Sequence, residues 1–137
     1  MNTSIEIVKR FYACLLAGDQ AGLGALLAED VVLHVPGRHQ LAGDYAGPEG
    51  IARFAAASSS VATAGERLTV VDVLEGEEFV AALCRVQAQR PGHAALDNST
   101  LHLAKVRSGR IAEIWFHNFD QHAVDAFWGQ RPPDGRS

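Results

Sequence analysis

Apolar residues recur at steps of three and four at the start of the chain. In the first segment these positions are Ile5, Val8, Phe11, Tyr12, Leu15 and Leu16. The spacing places them on one face of an amphipathic helix, for which Thr3 or Ser4 is available as N-cap. Gly18 ends that helix, and Asp19 can cap a second helix that continues to residues 29–30. The chain is therefore predicted to open as a helical hairpin.

The pattern then changes to one typical of strands. Residues 31–35 are short and β-branched and stop at Pro36, which predicts a strand leading into a turn. Residues 37–47 hold glycines and histidines without a period and are predicted to form a loop. Pro48 can occupy the first position of a third helix that extends to about Ser59.

The second half of the chain predicts a sheet. Its four strands are Arg67–Leu74, Phe79–Gln89, Ser99–Val106 and Arg110–Phe119. Short connections make them an antiparallel meander, followed by a last helix over residues 121–128 and a frayed tail over 129–137. The prediction is an α+β domain in which a curved antiparallel sheet wraps around the three helices of the N-terminal half and encloses a cone. Such a cone is a typical setting for a small-molecule site.

Composition indicates one globular domain over the 137 residues, with its core at about residues 4–128, because 47% of the residues are hydrophobic and 20% charged. No apolar run approaches the ~20 residues that cross a bilayer, and no export leader is expected. The net charge of −4 and the scattered basic residues argue against nucleic acid as a partner. Cys14 and Cys84 lack CxxC spacing and indicate buried thiols in a reducing compartment, so we expect a cytoplasmic protein.

Strand alternation divides the polar candidates into two faces. On the last predicted strand both the odd set, with Trp115 and His117, and the even set contain apolar members, so parity does not decide which set faces the cone. On the strand that begins at Phe79 the even set is wholly small and apolar. Arg85 and Gln87 are therefore either exposed to solvent or polar groups inside a cavity.

Three of the six histidines, His34, His102 and His117, lie in predicted strands among apolar neighbours. Each is either hydrogen-bonded in or beside the core, or acts on a ligand, because imidazole titrates near neutral pH. No HxH, HxxH or HExxH spacing occurs, and we expect no metal site. No phosphate-binding or dinucleotide-binding glycine motif occurs, and we expect no cofactor.

Three further positions allow both a structural and a functional interpretation. Tyr12 fits a core position with its hydroxyl at the rim of the cone. Asp120 follows the last strand and can cap the closing helix. Tyr45, beside Asp44 in the glycine-rich loop, can belong to a turn or to a site.

Several of these segments resemble a known family. They are the opening Ile-x2-Val-x2-Phe-Tyr helix, the Gly18-Asp19 break, the strand Val-x-Leu-His-Val-Pro-Gly, and Gly43-Asp44-Tyr45-x-Gly47-x2-Gly50-Ile51-x2-Phe54. The chain resembles the SnoaL-like branch of the NTF2-like superfamily from about residue 5 to residue 128. That cone-shaped α+β fold is shared by ketosteroid isomerases, limonene epoxide hydrolases and polyketide cyclases.

Few of the catalytic residues of these families are present at the matching positions of this chain. Phe11, Val35 and either Leu101 or His102 stand where ketosteroid isomerases have a tyrosine and two aspartates. In limonene epoxide hydrolases an Arg-x-Asp pair lies on a middle strand and a Trp-x-Asp-x-Phe-Asp segment on the last strand. Arg85-Val86-Gln87 and residues 115–120 are similar to these, with Gln87 and His117 in place of two carboxylates.

The resemblance implies that Arg85, Gln87, Trp115 and His117 face the cone. It also makes Asp120 the nearest candidate for the base aspartate of SnoaL-type cyclases. These positions suggest a catalytic set in which His117 is the base, Asp120 or Gln87 positions it, and Arg85 stabilises an oxyanion. The expected substrate-binding residues are Tyr12, His34, Tyr45, Gln87, His102 and Trp115.

The expected function is a cofactor-independent acid–base enzyme of the isomerase, cyclase or dehydratase type. Its substrate would be a small apolar molecule, similar to a polyketide or a steroid. A non-catalytic binding or assembly domain is the alternative, and epoxide hydrolysis by His117 and Arg85 is a further one. A connected set of inward polar groups would favour an enzyme, whereas isolated groups would favour a binding domain. We also expect a homodimer through an exposed sheet face that carries Ile114 and Phe116.

Overall fold

The first helix begins and ends at the residues that its caps predict. The computed structural model describes residues 3–130, and α1 spans Ser4–Ala17. The Thr3 hydroxyl accepts a hydrogen bond from the Glu6 N–H, and the Glu6 carboxylate accepts one from the Thr3 N–H, which together form a capping box. Gly18 closes the helix with φ of 71°, and Asp19 caps the helix that follows.

The second helix is shorter than its leucine spacing predicts. It is α2, Gln20–Leu26, and the chain passes directly into β1, Leu27–Val35. The predicted extension of the helix to residues 29–30 is therefore wrong. Leu27 pairs with Ile111 in a neighbouring strand and is buried, so sheet pairing prevails over local helical spacing.

The predicted loop after β1 contains a short strand. This strand, β2, spans Gly43–Ala46 and pairs antiparallel with the end of β1. Helix α3 follows as Gly47–Val61, with Pro48 in its first turn.

The remaining elements follow the predicted meander. They are β3 (Gly65–Glu75), β4 (Phe79–Gln89), β5 (Leu96–Arg107), β6 (Arg110–Asn118) and α4 (Gln121–Trp128). Strands β3 and β5 begin two and three residues earlier than predicted, and three of these additional residues line a cavity: Glu66, Leu96 and Asn98. Residues 131–137 of the predicted tail lie outside the described residues.

The six strands form one sheet in the order β2-β1-β6-β5-β4-β3. All neighbouring pairs are antiparallel except β1 and β6, which are parallel, so the sheet is mixed rather than purely antiparallel. The helices and this curved, unclosed sheet form the predicted α+β cone of the NTF2-like type. No helix within residues 3–130 has the length and apolar character to span a membrane.

Candidate functional site

The concave side of the sheet and the helices enclose a cavity of about 390 Å³. Its apolar wall includes Phe11 and Leu15 from α1, Ile51 and Phe54 from α3, Ile114 and Phe116 from β6, and Val124 and Trp128 from α4. This volume lies within the range of roughly 300–1,000 Å³ that is typical of small-molecule sites.

A small set of polar side chains interrupts this apolar wall. They are Tyr12, His39, Ser58, Ser59, Glu66, Asn98, Thr100, His102 and Asn118. Three of them, Asn98, Thr100 and His102, occupy every second position of β5 and therefore lie on its inner face. Because a strand rises ~3.3 Å per residue, Asn98 and His102 are separated by roughly 13 Å along the cavity.

Tyr12 and His102 form a buried hydrogen-bonded pair at one end of the cavity. The Tyr12 hydroxyl oxygen lies 2.7 Å from Nδ1 of His102, and the imidazole stacks on the ring of Phe116 with 3.9 Å between centroids. Burial lowers the pKa of His102 to about 3 and raises the pKa of Tyr12 well above its ordinary value. Both groups are therefore neutral at physiological pH and can exchange a hydrogen bond in either tautomer.

A relay of amides leads from the cavity wall to α4. The Nδ2 group of Asn98 donates to Oδ1 of Asn118 over 3.0 Å, and Nδ2 of Asn118 donates to Oε1 of Gln121 over 2.9 Å. Nε2 of Gln121 donates to Oδ1 of Asp125 over 3.0 Å. Burial alone would raise the pKa of Asp125, but hydrogen bonds from Arg38 and Gln121 outweigh it and lower that pKa, so the relay ends on a carboxylate.

His39 reaches the cavity from the loop between β1 and β2. It is buried, and its Nδ1 accepts a hydrogen bond from the Leu41 N–H over 3.1 Å. Burial lowers the pKa of His39, although the Asp125 carboxylate and the Pro36 carbonyl raise it in part. The neutral ring therefore carries its proton on Nε2.

Glu66 supplies the one carboxyl group among the side chains that line this cavity within the described residues. It is the second residue of β3 and its side chain is exposed, which places it at the rim where the cavity meets solvent. The Ser58 hydroxyl donates to its Oε1 over 2.8 Å. Burial raises the pKa of Glu66 above its ordinary value despite that hydrogen bond.

Four predicted site residues face away from the cavity. Arg85, Gln87, Trp115 and His117 alternate with residues such as Val86 and Phe116 that line it. Their predicted orientation into the cone is wrong. The apolar even-numbered residues of β4 lie on the inner face because helices cover that face. Arg85 lies on the outer face, where it donates two hydrogen bonds to Asp97 over 2.8 and 2.6 Å.

The same alternation corrects the expected exposed face of the sheet. Ile114 and Phe116 line the cavity and do not lie on the exposed face. The outer face instead carries a row of side chains across the sheet, in the order Leu74, Ala81, Leu103, Trp115 and His34. We call this set the outer row.

His34 lies in the outer row between two acids and does not reach the cavity. Its Nδ1 is 2.7 Å from Oδ1 of Asp44, and its Nε2 is 2.5 Å from Oε2 of Glu113. Its ring stacks on Trp115 with 5.5 Å between centroids. Burial alone would lower the pKa of His34, but the hydrogen bonds to Glu113 and Asp44 outweigh it and raise that pKa.

Asp120 and Tyr45 have structural contacts. The Asp120 carboxylate accepts from the Ala123 N–H and caps α4, as the structural interpretation of the sequence expects. Tyr45 packs against Phe54, and its hydroxyl donates to the Leu41 carbonyl over 2.6 Å. The predicted catalytic set of His117, Asp120 and Arg85 is therefore not assembled in the cavity.

Tyr12 and His102 are the predicted site residues that the structure places in the cavity wall, and their contact with a ligand stays a prediction. Sequence reasoning missed His39, Glu66 and Asn98. Glu66 and Asn98 directly precede the predicted starts of β3 and β5, at Arg67 and Ser99. Each continues the even-numbered set of its strand, and this parity was the signal that could have found them. Among residues 3–130 no three His, Cys, Asp or Glu side chains are arranged to hold a metal ion.

Comparison with known proteins identifies the family. The family model for the SnoaL-like domain matches residues 8–114. The chain belongs to the SnoaL-like domain family. An uncharacterized protein of Mycobacterium tuberculosis is 31% identical to this SnoaL-like chain over 128 residues, which cover 93% of this chain and 97% of that protein.

Solved structures agree with this family. Bal32a from a soil-derived mobile gene cassette is 30% identical with a TM-score of 0.84, over 90% of this SnoaL-like chain and 95% of Bal32a. An NTF2-like protein of Burkholderia xenovorans has a TM-score of 0.76 at 21% identity, over 90% of this chain and 94% of that chain, and supports the fold alone. The resemblance to the SnoaL-like branch of the NTF2-like superfamily is confirmed.

Proposed function

We propose that this SnoaL-like protein is an enzyme that binds a small, largely apolar molecule in its cavity and catalyses a proton transfer on it without a cofactor. Isomerisation, aldol-type cyclisation and dehydration all begin with such a transfer at a carbon beside a carbonyl group. The observation that carries this proposal is Glu66, a carboxyl with a raised pKa at the rim of an apolar cavity. General acid–base catalysis needs a group of this kind, whose pKa lies closer to the working pH than that of an ordinary carboxyl.

Ser58 supports this role for Glu66. Its hydroxyl donates to Oε1, which orients the carboxyl and uses one of its two oxygens. Glu66 takes the place that His117 holds in the sequence-based hypothesis, because His117 faces away from the cavity. Neutral hydrogen-bond donors in the wall, Tyr12 with His102 and His39, would stabilise negative charge that develops on a substrate oxygen in this poorly solvated space.

Hydrogen–deuterium exchange tests the chemistry without knowledge of the natural reaction. The probe is 1-tetralone, a two-ring ketone with exchangeable hydrogens beside its carbonyl, followed by proton NMR in D₂O. We expect the protein to accelerate exchange, and Glu66→Gln to reduce that acceleration by ~10²–10⁴-fold, because Gln keeps the shape and cannot accept the proton. Affinity for the ketone, measured by calorimetry, should stay close to that of the parent.

Two variants serve as controls for this experiment. Glu77→Gln changes an exposed glutamate outside the cavity and should leave exchange unchanged. His117→Gln should also leave it unchanged, since that side chain lies on the other face of the sheet. Exchange that survives Glu66→Gln and disappears with His117→Gln would contradict the proposal and place the chemistry outside the cone.

A non-catalytic ligand-binding domain is the second candidate. It is favoured by the separation of Arg85, His117 and Asp120, which do not form the connected set expected of an enzyme. Ketone binding with no acceleration of exchange would support it. The epoxide hydrolase alternative relied on Arg85 and His117, and their outward positions leave it without its two residues.

We also propose that a second copy of the chain covers the outer row, and that the protein works in the cytoplasm. Leu74 is 51% exposed, and Trp115 is half-buried on the same row. Three of the five side chains in the outer row, Leu74, Leu103 and Trp115, are large and apolar, and together they form an unusual solvent face for a monomer. Cys14 and Cys84 are free thiols, which supports a reducing compartment.

A further inference from the structure

His102 presents one of its ring nitrogens to the cavity. Within residues 3–130 its hydrogen bond with the Tyr12 hydroxyl and its contact with the Cys84 thiol both involve Nδ1, at 2.7 and 3.9 Å. Nε2 has no hydrogen-bond partner there, yet it keeps accessible surface, although the residue as a whole is 7% exposed. Because His102 lies on the inner face of β5 and lines the cavity, that surface opens into the cavity.

The hydrogen bond with Tyr12 determines whether Nε2 carries a proton. Tyr12 has one hydroxyl proton and two acceptors beside it, Nδ1 of His102 and Sγ of Cys84. An imidazole nitrogen is a better acceptor than a thiol sulfur, so the hydroxyl donates to Nδ1. The ring is neutral, because burial lowers its pKa to about 3, and its one proton is therefore on Nε2. Nε2–H is thus a buried donor that a ligand in the cavity would complete.

The charge of the cavity wall favours an uncharged acceptor for this donor. No Lys or Arg side chain lines the cavity in the described part of the chain. A carboxylate beside His102 would lose its hydration without a cation to replace it, which is costly in a poorly solvated space. An uncharged carbonyl or ether oxygen accepts from Nε2–H without that cost.

Glu66 and His102 lie at different levels of the cavity. Ala88 on β4 pairs with Glu66 on β3 and with Leu96 on β5. Glu66 is therefore level with Leu96, six positions before His102, which corresponds to roughly 20 Å along an extended strand and to less across a curved sheet. A ketone whose oxygen accepts from His102 thus holds the carbons beside its carbonyl group far from the Glu66 carboxyl.

We propose that the ligand is an elongated molecule with two oxygen groups, an uncharged acceptor that binds Nε2–H of His102 at the inner end of the cavity and a carbonyl group at the rim, beside the carbon on which Glu66 acts. This inference deepens the proposed function and rests on it, because it takes Glu66 as the base. His102 is then a specificity-determining residue that does not touch the reacting carbon. Where a conjugated system joins the two groups, negative charge that forms at the rim also reaches the oxygen at His102.

Four biphenyls of matched shape test the inner acceptor in the parent protein. They are 4-acetylbiphenyl, 4-isopropenylbiphenyl, in which a CH₂ group replaces the oxygen, biphenyl-4-carboxylate and 4,4′-diacetylbiphenyl, with affinities measured by calorimetry. We expect 4-acetylbiphenyl to bind about tenfold or more tightly than the isopropenyl compound, as one buried hydrogen bond implies, and the carboxylate to bind most weakly. Fluorescence of Trp128 in a Trp115→Phe protein reports entry into the cavity, since Trp128 lines it.

Deuterium exchange of the acetyl groups tests the second oxygen. When one acetyl group of 4,4′-diacetylbiphenyl binds at His102, the other lies near Glu66, so we expect accelerated exchange that Glu66→Gln removes. With 4-acetylbiphenyl the single acetyl group is held at His102, and we expect exchange close to the uncatalysed rate. The two ketones differ only in the second acetyl group, which makes the pair its own control.

A variant and a spectroscopic measurement assign the preference to His102. His102→Leu should abolish the preference for acetyl over isopropenyl, whereas His117→Leu, which changes an exposed histidine on the outer face of the sheet, should keep it. In the parent, ¹⁵N spectra should show the proton of the His102 ring on Nε2. That signal should shift with 4-acetylbiphenyl and not with 4-isopropenylbiphenyl, a readout that applies even if His102→Leu does not fold.

The outcomes separate the two proposals. Equal affinities of the acetyl and isopropenyl probes in the cavity overturn this inference alone, as does a ring proton on Nδ1 or a preference that persists in His102→Leu. Equally fast exchange of both ketones overturns the two-oxygen arrangement and leaves Glu66 as the base. An acetyl preference without exchange of either ketone refutes the catalytic role of Glu66 and supports the acceptor site at His102. If no probe enters the cavity, both proposals fail.

Discussion

The hydroxyl of Tyr12 on α1 and Nδ1 of His102 on β5 are 2.7 Å apart, although 90 positions separate them in the chain. This hydrogen bond joins the first helix to the middle of the sheet. Both side chains are almost fully removed from water. The hydrogen bond between them lowers the free-energy cost of burying each polar group. The pair therefore has a role in stability in addition to any contact with a ligand.

Tyr12→Phe should lower the free energy of unfolding by about 1–3 kcal/mol, because it leaves a buried imidazole nitrogen without its partner. Urea denaturation measures this change. The double variant Tyr12→Phe/His102→Leu should cost less than the sum of the two single variants, since the pair is coupled. Strictly additive losses would show that the two residues do not stabilise each other.

His102 should make the protein sensitive to acid. Its pKa is about 3 in the folded protein, below the ordinary value of 6.5, so the unfolded chain binds a proton that the folded protein does not. The free energy of unfolding should therefore fall as the pH decreases from 6.5 towards about 3. The contribution of His102 to this fall is at most about 1.4 kcal/mol per pH unit. His102→Gln should flatten the dependence in urea titrations at several pH values. The exposed His122→Gln should not, and an equal slope in His102→Gln and the parent would contradict the assignment.

His34 should have the opposite effect. Because its pKa is raised in the folded protein, its contribution to stability is complete below the ordinary histidine pKa and is lost as the pH rises through the raised value. Both ring nitrogens face carboxylates, so the imidazolium form satisfies all partners. The melting temperature of the parent should exceed that of His34→Gln most at about pH 6 and least at about pH 9. A difference that grows with pH would contradict this sign.

The proposed dimer predicts an effect of charge on the outer row. Light scattering should give twice the 14.7 kDa of one chain for the parent, and Leu103→Glu should give a monomer because it buries a charge in the interface. Ala13→Glu introduces the same charge on the exposed side of α1 and should remain a dimer. A parent that is monomeric at micromolar concentration would refute the proposal.

Gly37→Ala should disturb the relay that ends on Asp125. Gly37 has φ of 110°, and a Cβ there would meet the side chains of Asp125 and Gln121 at less than contact distance. We expect a clear loss in melting temperature, because Asp125 and Gln121 must move to make room for the added methyl group. Gly24→Ala, inside α2 with no atom near the added Cβ, should instead be neutral or stabilising. Equal melting temperatures for the two variants would contradict this expectation.

Local signals in the sequence predict most of the fold. Thr3, Gly18 and Asp120 act at helix ends as their residue types indicate, and the turns of the meander lie where glycine occurs between strands. The extent of α2 could not be predicted in the same way. Leu27 continues a helical spacing, and its strand conformation depends on pairing with Ile111, which is 84 positions distant and leaves no local signal.

The site was harder to predict because both faces of the sheet carry apolar residues. Trp115 and Phe116 are both large and aromatic, so alternation alone does not show which one faces the helices. The resemblance of Arg85-Val86-Gln87 to a catalytic pair favoured the wrong choice. The small, uniformly apolar even set of β4 was the better guide, because a face that packs under helices excludes an unpaired guanidinium.

The strict alternation of β5 and β6 has a practical consequence for protein engineering. Positions 98, 100, 102, 114, 116 and 118 contact the cavity, while the residues between them belong to the opposite surface. A combinatorial library restricted to these six positions would change the ligand that the protein accepts without altering its outer surface. Selection from such a library would therefore yield new receptors that share one unchanged outer surface.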